Sequence, residues 1–597
     1  MPSAWRSERK GICVQRRPDR WQLHRLALRE FGRDLNGTVR RLASPALGSS
    51  APSRLLFAPH DLRTGDPTVA QDIYAGYFVF ADRAVQAGGR SPFAVLPPSP
   101  AWSEGLHGFG WLRHLRAADT VLARDNARAL VTEGIALSRR AVPPEARAIR
   151  VVSRRLISFL CQSPLVLTGA DHGFYRRFLR AIGSAVRELE RGWASAPRPA
   201  DRLSAAMALC YAGLCCGGYE AKLRRAMRAL TTEIEAQILP DGGHVSRNPS
   251  MLVELLLDLL PLRQVFISRG VQAPEALEQA IERMLPMLRL FRHGDGELAL
   301  FNGISRTEFD VLAALVSYDV VRGAPAQHAT YSGYDRIEAG TTVLIADFGP
   351  APPFEASAEA HAGCLSFELS SGPHRLVVNC GAPAQEGALR QAARATAAHS
   401  TLAIGDASSC RFLAPRSPAD RMAAWLENRF GRVVVSGPRD LQAERHSEPN
   451  TAIGLVGRHD GYMETFGLRH ERRLRLAPDG ARLDGEDVVI GDAEGGAVPE
   501  ALVRFHLHPT VKVLCEESGN AVRLTLPGDS VWRFSVIDGE TEGAQLIQGR
   551  TLAIEDSIFF GAVDGRRPTR QIVVTTGLDR AGRPAPLAWR FERADTV

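Results

Sequence analysis

The period of the hydrophobic pattern changes once along this chain, and that change constrains the fold more than any other feature. From about Asp66 to Tyr318, apolar residues recur at three- and four-residue steps, as in "DHGFYRRFLRAIGSAVRELERGW", which is typical of amphipathic helices. From "TTVLIADF" onwards they alternate in short segments bounded by Gly, Pro, Asp or Asn, as in "HRLVVNCG" and "VWRFSVID", which is typical of strands. The sequence therefore predicts a helical part followed by a β part.

Each part indicates an architecture. Successive amphipathic helices joined at Gly or Pro predict paired helices in a solenoid or an (α/α) toroid, with loops gathered at one end as a cleft. Many short strands without intervening helices predict an antiparallel β-sandwich. Within the helical part, one helix is expected to begin at the Asp-Pro signal of "DPTVAQDIYAGYFVFADRAV" and to continue through that stretch.

The length of the chain requires more than one domain. At 597 residues it is too long for a single hydrophobic core. We predict a basic, partly irregular N-terminal segment over residues 1–55, a helical toroid domain over 56–325 and a β-sandwich domain over 326–597.

Charge and cysteine usage narrow the class of protein. The formal net charge is +7, and a basic surface suits either nucleic acid or an anionic polysaccharide. No recognised nucleic-acid motif or aromatic-basic platform is present, so we expect no nucleic-acid partner. The nine cysteines include no CxxC pair and no regular spacing, which argues against a disulfide framework and against a thiolate zinc site.

The N-terminal sequence bears on the compartment. It is basic and amphipathic but lacks a continuous apolar h-region, which argues against a secretory signal. No run of 18 apolar residues occurs in the chain, so no membrane span is expected. These features predict a cytoplasmic protein.

Several strings together resemble the heparinase II/III-like polysaccharide lyases. They are "ILPDGGHVSRNPSMLVELLLDLL" in the helical part, then "HAGCLSFELSSGPHRLVVNCG", "RATAAHSTLAI", "HDGY", "LRHERRLRL" and "LDGEDVV" in the β part. The resemblance covers nearly the whole chain after about residue 55. It implies an (α/α) toroid followed by a β-sandwich, with substrate bound in the cleft between them. Such lyases generally act outside the cytoplasm, so the periplasm or cell envelope is the alternative location.

The resemblance also implies a reaction, β-elimination on an acidic, uronate-containing glycan such as a glycosaminoglycan. A base must remove the C5 proton while another group neutralises the neighbouring carboxylate. Some members hold a zinc ion with two His and one Asp, and these positions fall on His361, Asn379 and His399. Because Asn replaces Asp in this chain, we expect weaker metal affinity, and zinc is only a possible cofactor.

Other family positions are changed as well. Glu359 stands where a catalytic His is usual, Met251 stands where a Tyr is expected, and an Asn-His pair falls on Asp201 and Arg202. The catalytic candidates are therefore Glu359, His361 and His244. The candidate substrate-binding residues are Arg247 and Asn248 in the "DGGHVSRNP" loop, Arg390 and Arg394 beside His399, and Asp201 and Arg202.

These substitutions leave three functions open. The first is a polysaccharide lyase that acts in the cleft between toroid and sandwich. The second is a non-catalytic glycan-binding homologue that has lost the usual catalytic set. The third is a glycan-cleaving enzyme that uses a different residue pair, such as Glu359 with His244.

Overall fold

The structure of the protein is a computed structural model. It describes residues 23–32, 51–137, 143–318, 323–383, 387–415, 417, 420–447, 452–491, 499–517, 519–537, 549–562, 565–578 and 583–594. Most of the predicted N-terminal segment, residues 1–22 and 33–50, therefore lies outside the described residues. No helix among those described is long and apolar enough to cross a membrane.

The first half is helical, as predicted. Elements are numbered in chain order, and the helices of this half are α1 (23–32), α2 (Pro67–Tyr74), α3 (Pro100–His107), α4 (Leu112–Ala118), α5 (Val121–Leu137), α6 (Ile149–Cys161), α7 (Ser163–Leu167), α8 (His172–Gly192), α9 (Pro199–Cys215), α10 (Glu220–Gln237), α11 (Pro249–Ser268), α12 (Glu275–Leu290) and α13 (Phe309–Tyr318). Helix α9 packs against α6, α8, α10 and α11. It is apolar and buried almost all round, as expected for a helix that its neighbours enclose.

One prediction in this half is wrong. Helix α2 begins where expected, since Asp66 caps it by accepting a hydrogen bond from the Thr68 amide. It ends at Tyr74, however, and the following residues form a two-stranded hairpin, β1 (Tyr77–Phe80) and β2 (Arg83–Gln86). Gly76 has φ +81°, a value that stops the helix at little cost, and "YFVF" suits a strand better than a helix.

The second half is built from antiparallel strands, also as predicted. Within the described ranges, one sheet contains β3 (His328–Ala329), β4 (Tyr334–Ala339), β5 (Thr342–Asp347), β6 (Phe367–Ser371), β7 (His374–Val378), β8 (Leu402–Ile404), β15 (Ala501–Leu507), β19 (Thr551–Ala562) and β20 (Gly565–Thr575). Its order is β19-β20-β15-β7-β6-β5-β4-β3, and β8 pairs with β15.

The second large sheet lies over the first. It contains β11 (Leu441–His446), β12 (Ile453–Tyr462), β13 (Leu468–Leu476), β14 (Arg482–Ile490), β16 (Lys512–Cys515), β17 (Ala521–Thr525), β18 (Val531–Ile537) and β21 (Leu587–Ala594), in the order β11-β12-β13-β14-β21-β18-β17-β16. Phe505 of one sheet packs against Trp589 and Phe534 of the other, with ring centroids 4.8 and 5.2 Å apart. These contacts across the two inner faces make the pair a sandwich.

A small subdomain inserted in the β half was not predicted. It comprises β9 (Arg411–Phe412), β10 (Val434–Ser436) and helix α15 (Arg421–Phe430), around a core that includes Leu426 and Phe430. Helix α1 adds Leu23 to this core, and a cavity of about 250 Å³ lies between α1 and the residues around Pro353 and Val435. Two short helices, α14 (Ala388–Ala393) and α16 (Met463–Phe466), complete the β half.

The two halves contact each other through polar groups. Asp241 of the helical half accepts hydrogen bonds from the backbone amides of Tyr331 and Ser332. His293 Nε2 lies 3.0 Å from Glu368 Oε2, and both side chains are fully buried. We call this boundary region, where Asp241 and His293 of the helical half meet Tyr331, Ser332 and Glu368 of the β half, the seam. It is held by specific hydrogen bonds as well as by apolar packing.

Candidate functional site

Most of the predicted site residues are brought to the seam by four segments of the chain. They are the loop between α10 and α11 (residues 241–248), the turn at Asn302, the turn-containing segment before β6 (residues 357–361) and the stretch from α14 to β8 (residues 390–400). The first two belong to the helical half and the last two to the β half. The tertiary structure thus gathers residues that are up to about 150 positions apart in sequence.

Glu359 lies at the centre of this arrangement. Its Oε2 accepts a 3.0 Å hydrogen bond from Asn248 Nδ2, and its Oε1 accepts a 3.0 Å hydrogen bond from Arg390 Nη2. Asn248 also caps α11, because its Oδ1 accepts from the Ser250 amide. The Glu359 side chain is 52% exposed. Three predicted residues therefore form one accessible cluster that crosses the seam.

His361 and His399 lie against each other beside this cluster. His361 Nδ1 is 3.0 Å from His399 Nε2, and His399 Nδ1 is 2.8 Å from the Ala395 carbonyl oxygen. The His361 amide donates to Asn302 Oδ1, which ties this segment to the helical half. Burial lowers the pKa of His399 to about 4 and holds the pKa of His361 well below its usual range. Both rings are therefore neutral near pH 7.

The side chain of Asn379, the third predicted metal ligand, is hydrogen-bonded within the protein. Its Oδ1 accepts a 3.0 Å hydrogen bond from the Ser400 amide, and its Nδ2 donates to Glu368 Oε1 at 3.3 Å. Nowhere in the described part of the chain do three His, Cys, Asp or Glu side chains form a group suited to a metal ion. Two imidazole rings and an amide whose atoms are already hydrogen-bonded do not make the zinc ligand set that the resemblance implies.

Two of the predicted substrate-binding arginines are engaged within the protein. Arg247 is 7% exposed, forms an ion pair with Asp347, and donates to the carbonyl oxygens of Ser332, Gly349 and Pro350. Arg394 is 2% exposed, donates to the Ala360 and Ser357 carbonyl oxygens, and lies 4.0 Å above the Phe412 ring. Their sequence position suggested a clamp for an anion, but the donors of Arg247 are used across the seam and those of Arg394 within the β half.

The remaining predicted residues form a hydrogen-bonded chain in the helical half. His244 is buried, with Nδ1 2.7 Å from Ser246 Oγ and Nε2 3.2 Å from Gln237 Oε1, and burial lowers its pKa to about 4. Gln237 donates to Glu233, which pairs with Arg202 at 3.2 Å. A histidine with both ring nitrogens engaged is poorly placed to exchange protons with a ligand.

Asp201 lies in the first turn of α9. Burial raises the pKa of its carboxyl group, although the nearby Arg150 and Arg198 act in the opposite direction. Met251, which occupies the position expected for a tyrosine, lies in the first turn of α11 and is partly buried.

Sequence reasoning missed Asn302 and Tyr334. Asn302 Nδ2 donates to Tyr334 Oη at 2.6 Å and to Asp347 Oδ2 at 3.1 Å, while Tyr334 donates to the Arg247 carbonyl oxygen at 2.6 Å. Tyr334 is 1% exposed, and burial raises the pKa of its hydroxyl well above the usual value. The Asn-Gly pair at 302–303 was a sequence signal for a turn, but nothing in the sequence indicated what the turn would contact.

Comparisons with known proteins agree with this architecture. Residues 321–584 match the family described as heparinase II/III-like, C-terminal. Over 511 residues the chain is 31% identical to the FtsZ-localized protein C of Caulobacter vibrioides (strain NA1000 / CB15N), covering 82% of this chain and 84% of that protein.

Solved structures of lyases share the fold. A crystal structure of heparinase III matches with a TM-score of 0.69 at 13% identity, covering 97% of this chain and 91% of the other. A mutant of the heparan sulfate lyase HepC from Pedobacter heparinus matches with a TM-score of 0.61 at 14% identity, covering 98% and 92%. At such low identity these matches establish the toroid-and-sandwich architecture alone.

Proposed function

Because the chain belongs to the heparinase II/III-like family but has most of its candidate acid–base groups engaged in internal hydrogen bonds, we propose that it works by binding rather than by efficient elimination. The observation that carries this proposal is that polar side chains at the seam are hydrogen-bonded within the chain. His244 and Arg247 are a candidate catalytic and a candidate substrate-binding residue, Tyr334 lies beside Arg247, and each has its polar atoms bound within the chain.

The relative of 31% identity supports a setting for this binding function. That protein is named for its localisation with FtsZ, and the similarity extends over most of both chains. The proposal therefore includes association of this chain with FtsZ assemblies, in the cytoplasm. We also propose an acidic glycan as the ligand of the seam, since the side chains of Arg390 and Glu359 are partly exposed to solvent.

Localisation tests the proposal directly. A fluorescent fusion of the full chain should gather at sites that contain FtsZ and should disperse when FtsZ is depleted. Purified chain should also sediment with FtsZ polymers and stay in the supernatant without them. A fusion that remains diffuse, together with no co-sedimentation, contradicts the proposal.

A second candidate function is slow β-elimination, and one observation favours it. His361 Nε2 has no hydrogen-bond partner among the described residues, and Glu359 lies two residues earlier and is half exposed. In the reaction a base removes the C5 proton of a uronate, a C4–C5 double bond forms, and the C4–O bond breaks as the leaving oxygen gains a proton. His361 would act at C5, with Glu359 beside the departing group.

The assay is a scan of uronate-containing glycans that follows the unsaturated product by its ultraviolet absorbance. Wild-type protein would be compared with Glu359→Gln and His361→Ala, and with His508→Gln as a control distant in sequence. Activity that falls at least about tenfold in the first two variants alone supports elimination, the loss expected when one acid–base group is removed. Equal activity in all four proteins would sink this residue assignment, and no product from any glycan favours the binding function.

A further inference from the structure

The two histidines that align with a zinc site point their ring nitrogens at each other. We infer that His361 and His399 form a hydrogen-bonded dyad that fixes the tautomer of His361, and that this dyad takes the place of a metal site. The inference rests on donor and acceptor geometry and does not depend on the proposed function.

The tautomers follow from the outer end of the dyad. His399 Nδ1 lies 2.8 Å from the Ala395 carbonyl oxygen, and a carbonyl can only accept, so Nδ1 carries the proton. A neutral imidazole has one N–H, which makes His399 Nε2 an acceptor. His361 Nδ1, 3.0 Å away, must then donate to it. His361 Nε2 is left without a proton.

The rings are arranged to suit this bond. Their planes meet at 82° with centroids 5.1 Å apart. His361 is 6% exposed and His399 is 1% exposed, so water does not compete strongly for the shared proton. Burial disfavours a charged ring, and the neutral form is the one that the dyad requires.

Asn379 argues against a metal at the same place. The Ser400 amide can only donate, which identifies the Asn379 atom facing it as Oδ1 and places the NH₂ group against Glu368. Turning Oδ1 towards the histidines would leave the Ser400 amide without its acceptor. The Asn379 backbone amide also donates to Glu368 Oε1 at 2.9 Å.

Glu368 shows why an amide suits this position. Its Oε1 accepts three hydrogen bonds, from the Leu300 amide and from the backbone and side chain of Asn379. Its Oε2 lies 3.0 Å from His293 Nε2. An aspartate at position 379 would set a second carboxylate beside this buried one, where like charges repel strongly. The neutral Asn379 amide avoids that repulsion. It also lacks the negative charge that would help to hold a zinc ion.

The dyad has a consequence for binding. With its proton on Nδ1, His361 offers the lone pair of Nε2 at the seam, two residues from the half-exposed Glu359 carboxylate. A ring nitrogen without a proton selects a ligand that presents a hydroxyl or amide donor. His399 is therefore a positioning residue, since it acts on the ligand only through the tautomer of His361.

Nitrogen spectroscopy tests the tautomer. Protein labelled with ¹⁵N- and ¹³C-histidine would be compared with His361→Gln, so that the difference spectrum isolates His361. We expect a protonated Nδ1 and a bare Nε2 in the wild type, and a shift towards protonated Nε2 in both His399→Phe and His399→Asn. A wild-type His361 protonated at Nε2 overturns the inference, as does a spectrum that folded His399 variants leave unchanged.

Zinc titration tests the metal alternative independently. Chelator-treated wild type, His361→Gln, His399→Gln and the control His508→Gln would each be titrated with zinc chloride by calorimetry. We expect the four titrations to agree, with no binding that depends on the dyad. One zinc ion per chain in wild type and control, lost in both dyad variants, would show that the histidines are metal ligands after all.

Discussion

Two histidine pairs in the β half have nearly the same geometry but different surroundings. His361 and His399 meet at 82° with centroids 5.1 Å apart, and His459 and His470 meet at 87° with centroids 5.2 Å apart. The second pair leads to a carboxylate, because His470 Nε2 lies 2.7 Å from Asp487 Oδ1. In the first pair, which we call the seam pair, His399 contacts a backbone carbonyl oxygen and His361 lies at the seam.

The surroundings decide what each pair does. Asp487 also accepts two hydrogen bonds from Arg472 and one from the Trp589 indole, and all of these groups are buried. Arg472 holds the pKa of Asp487 well below its usual range. His459 and His470, which we call the inner pair, are therefore part of a buried network of hydrogen-bonded charged groups that joins β13, β14 and β21. Among the residues that the structure describes, the seam pair contacts no carboxylate and His361 Nε2 has no hydrogen-bond partner, so this nitrogen can accept from a ligand.

The largest effect is expected when the inner network loses its carboxylate. Asp487→Asn leaves the Arg472 charge buried without a counter-ion, and removing one partner of a buried ion pair costs about 3–5 kcal/mol. The free energy of unfolding, measured in urea, should fall by this amount. Asp556→Asn removes a carboxylate from the exposed pair with Arg570 and should cost less than about 1 kcal/mol. Equal losses in the two variants would mean that the buried Asp487 network stabilises the fold no more than an exposed ion pair does.

The next effect concerns pH and the buried His244. Its folded pKa of about 4 lies below the unfolded value near 6.5, so the unfolded chain binds a proton first as the pH falls. Stability is therefore lost between pH 6.5 and 4, by about 2 kcal/mol at pH 5 for this residue. His244→Gln should flatten the stability curve by that amount, whereas a curve of unchanged slope would mean that His244 titrates normally when folded.

A smaller effect is expected at the start of α11. Asn248→Ala removes the cap that the Ser250 amide requires, together with the hydrogen bond to Glu359, at a cost of about 1 kcal/mol. Asn248→Asp should keep the cap but repel Glu359. Calorimetric melting of both variants separates the two roles, and an Asn248→Ala melt identical to wild type would show that neither contact stabilises the seam.

The smallest effect belongs to the exposed edge of the seam. Arg390→Ala removes an ion pair with Glu359, whose side chain is 52% exposed, and pairs of this kind contribute about 0–1 kcal/mol. The unfolding midpoint should hardly move, while binding of an acidic glycan should weaken. A large loss of stability would mean that the cluster is structural, like the inner histidine network.

Much of the architecture could be predicted because it depends on local pattern. Alternating apolar residues in segments such as "HRLVVNCG" determined strands β7, β15 and β18, and the Asp-Pro signal located the start of α2. The family resemblance selected Glu359, while the Gly-rich loop and the neighbourhood of His399 selected Asn248 and Arg390. The structure brings these three residues together. The hairpin after α2 and the subdomain around α15 were missed, because short segments change type where packing outweighs local preference.

What the sequence by itself determined is the order of helices and strands, the family and the set of polar residues from which a site could be built. The tertiary structure decided which of those residues are free. Arg247 and Arg394 donate to carbonyl oxygens from distant segments, and Asn379 donates to Glu368. His361 Nε2 has no hydrogen-bond partner among the described residues. The periodicity of side chains is local, but whether a hydrogen-bond donor is satisfied depends on groups that only folding brings within 3 Å or so.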